Sequence, residues 1–288
     1  MSRVGRTLFT DSSHPAAITE EALLDQVQEL RERQAEVTAL LEGSRAVLRH
    51  RDFKDAARSI FDACKELIGA TSGYVALLAP NGAENEVLFL DSGGLPCNVD
   101  PALPMPIRGL RETAYRRGEA VFHNDFSRSD WVEFLPKGHV CLDNVLFAPL
   151  VIDGQPLGLL GLANKPGDFT DNDARMASAF GELAAIALKN SRTLESLKHS
   201  EERFRSLTQS ASDGIVSVDS SGKIVYWNKA AEHVFGYSAD EMIGKPLDAI
   251  MPENTRGSHQ EKINHAAATG NSRSIGMTVG VRGGRSNG

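Results

Sequence analysis

A heptad repeat of apolar residues occurs twice in this chain, and it constrains the possible folds more than any other feature. The first repeat follows Thr19, a residue type that caps helix N-termini, and it predicts a helix over residues 18–49. Six of its eight seam positions are apolar, which favours a helix that pairs with a second copy of itself over residues 20–48. An amphipathic helix that lies on its own domain is the alternative. The seam positions are Leu23, Val27, Leu30, Gln34, Val37, Leu41, Ser44 and Leu48.

The second repeat predicts a long linker helix over residues 171–209, a stretch that contains one glycine and no proline. Some of its seam positions are polar, and polar residues at such positions often set the register of a helix pair. We therefore predict that this helix also takes part in a homodimer. Its seam positions are Leu183, Ile186, Asn190, Thr193, Leu197, Ser200, Phe204 and Leu207.

The segment between the two repeats predicts an antiparallel sheet with flanking helices. β-rich runs on either side of Pro80-Asn81-Gly82 form one pair, and two apolar runs joined by Asp153-Gly154 form a tight hairpin. Strands, long inserted loops and helices together indicate an α+β fold. The predicted strands are residues 73–79, 86–90, 121–123, 144–152 and 156–163, and a short helix is predicted at 107–117.

The composition excludes several classes of protein. Of the 288 residues, 41% are hydrophobic and 24% charged, which excludes a mainly disordered or collagen-like chain. A net charge of −7 without a Lys/Arg cluster argues against direct nucleic-acid binding. No apolar stretch approaches the roughly 18–20 residues that span a bilayer, and no secretory signal is recognisable. Three cysteines without C-x-x-C spacing predict reduced thiols in the cytoplasm, and residues 1–17 predict a disordered lead.

The stretch from Asn164 to Asp173 carries a resemblance to the GAF family. It is similar to the N-K…F…D-E signature of that family, with Ala174 in place of the final Glu, and residues 144–161 fit the family's central hairpin. We therefore predict a GAF domain over residues 50–190, with a structural role for the signature. Lys165 and Asp173 should bridge the strand end to the next helix, Phe169 should pack beneath them, and Thr170 or Asp171 should cap the helix. The predicted structural residues are Asn164, Lys165, Phe169 and Asp173.

The last segment resembles the start of a PAS domain. The residues that carry this resemblance include Asp213-Gly214-Ile215, Trp227-Asn228, Phe235-Gly236-Tyr237 and Glu241-Met242-Ile243-Gly244. Asn228 should cap the helix that follows it, and Gly236 and Gly244 should supply permissive backbone where helices end. The family has three further strands after its long helix, and the remaining sequence is about half the length they need. We therefore expect an incomplete PAS domain over residues 201–288, and we expect the usual output module to be absent.

The GAF resemblance implies a small-molecule cup between the sheet and its loops, lined by residues 95–145. His123, Asn124 and Asp125 leave a strand and enter the long loop where GAF ligands usually lie. Alternatively, Asn124 and Asp125 only brace that loop through backbone hydrogen bonds, and Trp131 only anchors it. The candidate ligand-binding residues are Cys97, Asp100, His123, Asn124, Asp125, Trp131, His139, Cys141 and Asn144.

Two further sites follow from relatives of these families. In the oxygen-sensing haem PAS kinases a similar spacing places the haem-ligating histidine at His259, since imidazole is a good axial ligand. A surface or core histidine is the preferred alternative, so the cofactor stays unknown. In the free methionine-(R)-sulfoxide reductases of the GAF family, loop cysteines carry out the nucleophilic attack and the resolving step. This resemblance would give those roles to Cys97 and Cys141, and His139 lies two residues from Cys141. Cys64 falls on an apolar helical stripe and should be buried.

The preferred hypothesis is a cytoplasmic sensory module that binds a small ligand in its GAF or PAS pocket. Its dimeric helices would transmit the state to a downstream effector in two-component or cyclic-di-GMP signalling. The sequence contains no histidine-kinase phosphoacceptor box, cyclase GG-E-E-F signature or nucleotide-binding glycine motif, so no enzymatic activity is assigned. A thiol enzyme and a ligand-free dimerisation scaffold are the alternatives.

Overall fold

The structure, a computed structural model, describes residues 20–100 and 103–251. These residues divide into two compact units, with the boundary between Thr193 and Leu194. The predicted disordered lead, His259 and the predicted incomplete end of the PAS domain lie outside the described residues.

The first unit is built on a six-stranded sheet in which every described pair of neighbouring strands is antiparallel. The strand order is β3-β2-β1-β6-β5-β4. This arrangement confirms the predicted α+β fold with an antiparallel sheet and flanking helices. The elements are α1 (Glu20–Arg49), α2 (Phe53–Ile68), β1 (Ser72–Leu78), β2 (Glu84–Asp91), β3 (Met105–Pro106), α3 (Leu110–Arg117), β4 (Val121–His123), β5 (Val145–Ile152), β6 (Gln155–Ala163) and α4 (Asp171–Ser210).

The central strands bury side chains on both faces of the sheet. Along β5, Leu146, Ala148 and Leu150 belong to a core shared with α2 and α4, whereas Val145 and Phe147 belong to a second core shared with α3. This division follows from the two-residue period of a strand, which sends successive side chains to opposite faces. The second core adjoins the loop of residues 124–144, which contains the 3-10 helices Phe126–Arg128 and Asp130–Phe134.

Helix α2 shows why this stretch of sequence is helical. The Asp52 side chain accepts hydrogen bonds from the backbone N–H groups of Lys54 and Asp55, and Gly69 ends the helix in the left-handed conformation. The apolar stripe between these caps is fully buried at Phe61 and Cys64. Burial raises the pKa of the Cys64 thiol far above its ordinary value.

Helix α1 has two apolar faces with different surroundings. Leu40 and Val47 pack on the first core beside the buried Ala46. Gly43 lets α1 lie close to α4, because a Cβ atom there would be 2.9 Å from Leu183 Cδ1. The other face is the predicted heptad seam, whose apolar members are exposed by 38% to 86%: Leu23, Val27, Leu30, Val37, Leu41 and Leu48.

The second unit has a small core formed by two strands and short helices. Ile224, Trp227 and Met242 are almost completely buried in it. The Asn228 side chain caps the following helix, as predicted, and Gly236 ends that helix with a φ of 78°. The elements after α4 are β7 (Val216–Val218), β8 (Ile224–Trp227), α5 (Lys229–Phe235), α6 (Ala239–Met242) and the 3-10 helix Leu247–Ile250.

Within the described part of the chain, no helix combines the length and apolar character needed to cross a bilayer.

Candidate functional site

A cavity of about 90 Å³ lies in the first unit, on the face of the sheet that carries the second core. This volume accommodates several water molecules or part of a compact organic molecule. Its walls come from β1, β5, β6, α3 and the loop of residues 124–144. The aromatic residues of the wall are Tyr74, Phe126, Trp131, Phe134 and Phe147, and the aliphatic residues include Leu110, Leu135, Leu142 and Val145.

Gly161 on β6 leaves room for the ring of Tyr74 on β1, and both residues line the cavity. The ring of Tyr74 packs directly on Gly161 of the neighbouring strand, where an added Cβ atom would lie 2.5 Å from Tyr74 Cε1. Any larger residue at Gly161 would therefore push the Tyr74 ring into the cavity. The ring of Phe147 lies on the same face, with its centroid 6.3 Å from that of Tyr74.

The hydroxyl of Tyr74 is buried and has no hydrogen-bond partner in the described part of the chain. Burial raises the pKa of this hydroxyl, and the neighbouring Arg111 guanidinium opposes the shift. Tyr115 on α3 lies close to both groups, and burial raises its pKa also, while its hydroxyl donates a 2.5 Å hydrogen bond to Asn85 Oδ1. An unpaired buried hydroxyl costs about 1–3 kcal/mol, so the position next to Arg111 suits a polar ligand atom or a water.

Of the nine predicted ligand-binding residues, the structure places Trp131 and His139 in the cavity wall. His139 Nδ1 lies 2.8 Å from the Val140 carbonyl oxygen, which can only accept, so Nδ1 donates this hydrogen bond. His123 lies behind Trp131, with their ring centroids 5.1 Å apart in an edge-to-face contact. Its Nδ1 atom is buried without a partner among the described residues.

Asn124 and Asn144 use their side chains to hold backbone. Asn124 accepts from the Phe169 N–H at 2.8 Å and donates to the Phe169 carbonyl at 3.0 Å. Asn144 accepts from the Lys165 N–H and donates to the carbonyls of Lys165 and Gly167. Both side chains thus tie the loop to the segment before α4. Asp125 is exposed and lies 3.6 Å from Arg128.

The remaining predicted residues lie in loops near the cavity. Cys97 is half-buried and Cys141 is exposed, and all three cysteines of the chain are free. Cys141 Sγ lies 4.0 Å from Asp143 Oδ1, so its neighbour is acidic rather than basic. Asp100 is exposed, and its carbonyl accepts from the Leu103 N–H.

The predicted GAF signature forms a connected structure between the loop and α4. Lys165 Nζ lies 2.5 Å from Asp173 Oδ2, and Phe169 is buried beneath them. Thr170 and Asp173 exchange hydrogen bonds in the manner of a capping box, which fixes the start of α4. Asn164, with a φ of 57°, accepts from the Asp143 N–H and donates to the Cys141 carbonyl.

Sequence reasoning missed Tyr74 and Arg111. Tyr74 was predicted to lie within a strand, and Arg111 within a short surface helix, and neither position carries a local motif. The one available signal was the hydroxyl-bearing Tyr74 at the start of an otherwise apolar strand. Across the described residues, no group of three His, Cys, Asp or Glu side chains could hold a metal ion.

Comparison with known proteins identifies both units. Residues 50–189 match the GAF domain family, and residues 202–286 match the PAS fold. The oxygen sensor protein DosP of Escherichia coli (strain K12) is 34% identical over 65 residues, which cover 23% of this chain and 8% of DosP. The sensor protein FixL of Bradyrhizobium diazoefficiens is 33% identical over 92 residues, which cover 32% of this chain and 18% of FixL. The matched regions thus span less than a fifth of either relative.

Two solved structures show a more distant likeness. The GAF domain of a phosphoenolpyruvate-protein phosphotransferase from Coxiella burnetii has a TM-score of 0.49 at 14% identity, and the match covers 57% of this chain and 98% of that one. The free methionine-R-sulfoxide reductase of Neisseria meningitidis has a TM-score of 0.45 at 18% identity, with 55% and 91% covered. At these values the likeness carries no argument on function. The two family matches show that the chain contains a GAF domain followed by a PAS domain.

Proposed function

We propose that this sensor module binds a small molecule in the GAF cavity and passes the bound state through α4 toward the PAS domain and a downstream effector. The effector would belong to two-component or cyclic-di-GMP signalling. In this proposal the module works in the cytoplasm as a homodimer, and the three free cysteines support a reducing compartment.

The observation that carries the proposal is a connection from the cavity rim to α4, made of side-chain hydrogen bonds and the short segment of chain after Asn164. The rim loop supplies His139, Val140 and Leu142 to the cavity wall. The same loop is tied through the backbone of Cys141 and Asp143 to the Asn164 side chain. The segment after Asn164 leads, within nine residues, to the capping box at the start of α4. A ligand that moves the rim therefore acts on the first turn of the helix.

The exposed seams of α1 and α4 support the homodimer. Ile186 and Leu197 on α4 are 40% and 65% exposed, and Leu30 and Leu41 on α1 are 64% and 52% exposed. Apolar side chains at heptad spacing gain about 25 cal/mol for each Å² that a second helix removes from water. A second copy of the chain offers the same seam and is the simplest partner for it.

The ligand shifts the module only through a difference in affinity between two arrangements of these helices. To move the population from 1:99 to 99:1, it must bind one arrangement about 10⁴-fold more tightly than the other. A partial shift of the population needs a smaller difference in affinity between the two arrangements. The rim contacts described above are the part of the GAF domain that can differ between the two arrangements.

Cysteine cross-linking tests the dimer at the seam. In a background with Cys97→Ser and Cys141→Ser, which leaves only the buried Cys64, Leu197→Cys should form a disulfide-linked dimer under mild oxidation. Glu195→Cys is the matched control, because it lies two residues away on the other side of an exposed helix. The readout is the fraction of dimer on a non-reducing gel.

The proposal predicts efficient cross-linking for Leu197→Cys and little for Glu195→Cys. Equal cross-linking at both positions would mean random collision. Light scattering of the unmodified chain provides the independent measurement, since a value of 31.1 kDa at micromolar concentration would be the mass of a monomer and would contradict the proposal.

A further inference from the structure

The wall of the GAF cavity is apolar over most of its area, so a ligand that fits it should have an apolar body. Rings of Trp131, Phe134 and Phe147 surround it, together with the aliphatic side chains of Leu135 and Leu142. Such a wall favours a flat or branched apolar group, because burial of apolar surface supplies most of the binding free energy in pockets of this kind.

One positive charge in this wall lacks an acidic partner. Arg111 on α3 is half-buried, and no ion pair joins it to a carboxylate within the described ranges. The other arginine of the wall, Arg108, stacks on the Phe134 ring at 4.6 Å and donates to the Phe134 carbonyl at 3.1 Å. Asp91 is the only carboxylate among the described lining residues, and its charge is already paired with Lys65 at 2.5 Å.

The Tyr74 hydroxyl lies beside Arg111 and is the second polar group of this corner. It is buried, no group among the described residues meets it in good hydrogen-bond geometry, and Arg111 is close enough to act on it as a donor. A guanidinium and a hydroxyl next to one another provide N–H and O–H donors to the same oxygen pair. A carboxylate accepts from both, whereas a cation would be repelled by Arg111 and a neutral apolar group would leave both donors unused.

We propose that the GAF cavity selects a compact organic carboxylate with an apolar body, whose carboxylate binds Arg111 and Tyr74 while its body packs among Trp131, Phe134 and Phe147. This inference rests on the proposed function, because it names the chemical class of ligand for the same cavity. The two residues that bind the carboxylate come from α3 and β1, outside the loop that couples the cavity to α4.

Phenylacetate and phenylacetamide test the inference as probes of equal shape and different charge. The full chain contains two tryptophans, so its amide NMR spectrum has two indole signals, which Trp131→Phe assigns. Trp131 reports on the cavity, and Trp227 in the second unit is an internal reference. Titration of each probe gives a dissociation constant from the shift of the Trp131 signal.

The expected result is that phenylacetate binds at least about tenfold more tightly than phenylacetamide, as a charge-assisted hydrogen bond implies. Arg111→Gln should remove this preference. Arg117→Gln, an exposed position on the same helix, changes the net charge equally and should keep it. Tyr74→Phe should weaken phenylacetate binding several-fold, because the hydroxyl is one of the two donors to the carboxylate.

The outcomes separate this inference from the proposed function. If phenylacetamide binds as tightly as phenylacetate, or if Arg111→Gln keeps the preference, the carboxylate assignment is wrong while the cavity remains a ligand site. If neither probe shifts the Trp131 signal at millimolar concentration, the inference is wrong, and cross-linking at Leu197→Cys still tests the dimer separately.

Discussion

Removal of the Asp173 carboxylate should destabilise the GAF domain more than removal of the Lys165 ammonium, although both changes break the same ion pair. Asp173 Oδ2 accepts from Lys165 Nζ at 2.5 Å, from the Thr170 N–H at 2.8 Å and from the Thr170 hydroxyl at 3.0 Å. The two charged side chains are only 18% and 11% exposed for Lys165 and Asp173. The two variants differ in which charge loses its partner: the Lys165 ammonium when Asp173 is replaced, and the Asp173 carboxylate when Lys165 is replaced.

In Asp173→Ala the Lys165 ammonium loses the one ion pair that it forms among the described residues, and it keeps a contact with the Phe169 ring, whose centroid lies 5.9 Å from Nζ. Breaking a buried pair in this way costs about 3–5 kcal/mol, and the partial exposure of Lys165 places this case near 3 kcal/mol. In Lys165→Met the remaining carboxylate keeps both Thr170 donors and the positive end of the α4 dipole. We expect a loss of about 1–2 kcal/mol there.

The measurement is urea unfolding followed by Trp131 fluorescence in a Trp227→Phe background, which confines the signal to the GAF domain. Asp168→Ala, an exposed position in the same segment, should change the free energy of unfolding by less than about 0.5 kcal/mol. The m-values should stay equal, so that midpoints can be compared directly. A loss for Lys165→Met as large as that for Asp173→Ala would refute the argument from the remaining charge.

Three further predictions concern other parts of the molecule. Asn228→Ala should destabilise the PAS domain by more than about 2 kcal/mol in thermal unfolding, because the buried side chain makes four hydrogen bonds to backbone. Asn228→Asp keeps only the two accepted bonds and should therefore not restore stability. The Lys65 ammonium holds the pKa of the Asp91 carboxyl below its ordinary value. The pair therefore stabilises the fold fully at pH values above that ordinary pKa, and this stabilisation is lost as the pH falls through the folded-state pKa. In urea unfolding the deficit of Asp91→Asn should therefore be largest near neutral pH and shrink below pH 3.8, whereas a constant deficit would exclude the linkage. Cys64 should react with a thiol reagent only after unfolding, while the exposed Cys141 reacts in the native protein; early labelling of Cys64 would show that α2 opens locally.

Local sequence patterns predicted most of the fold because its elements carry their own signals. The turn at Asp153-Gly154 joins β5 and β6 as the sequence predicts, and Gly69 and Gly236 end helices in the left-handed conformation. Helix α1 was harder, because Leu40 and Val47 lie on a second apolar face next to the seam. A heptad count finds the more regular face and cannot tell which of two faces the domain itself covers.

The candidate site was less predictable, because its polar groups meet only through the tertiary fold. Trp131 and His139 stand in the loop where a family resemblance directs attention, and they line the cavity. Tyr74 and Arg111 are 37 positions apart in sequence and come together because α3 packs on the face of the sheet that carries the Tyr74 side chain of β1. Asn144 is a residue type that often binds ligands, but its side-chain amide forms three hydrogen bonds with backbone groups instead, and these are visible only in the structure.

Under the two proposals above, recognition and transmission would fall to different residues of this domain, and that separation has a physical basis. Arg111 and Tyr74 project from a helix and a strand, which hold these side chains more rigidly than a loop would. Asn124, Asn144 and Asn164 instead join a loop to the segment before α4, and each bonds only to backbone. Substitutions in the first group should therefore change affinity while the rim stays connected to α4. Substitutions in the second group should lower stability and uncouple the helix, because the rim would then move without pulling on the start of α4.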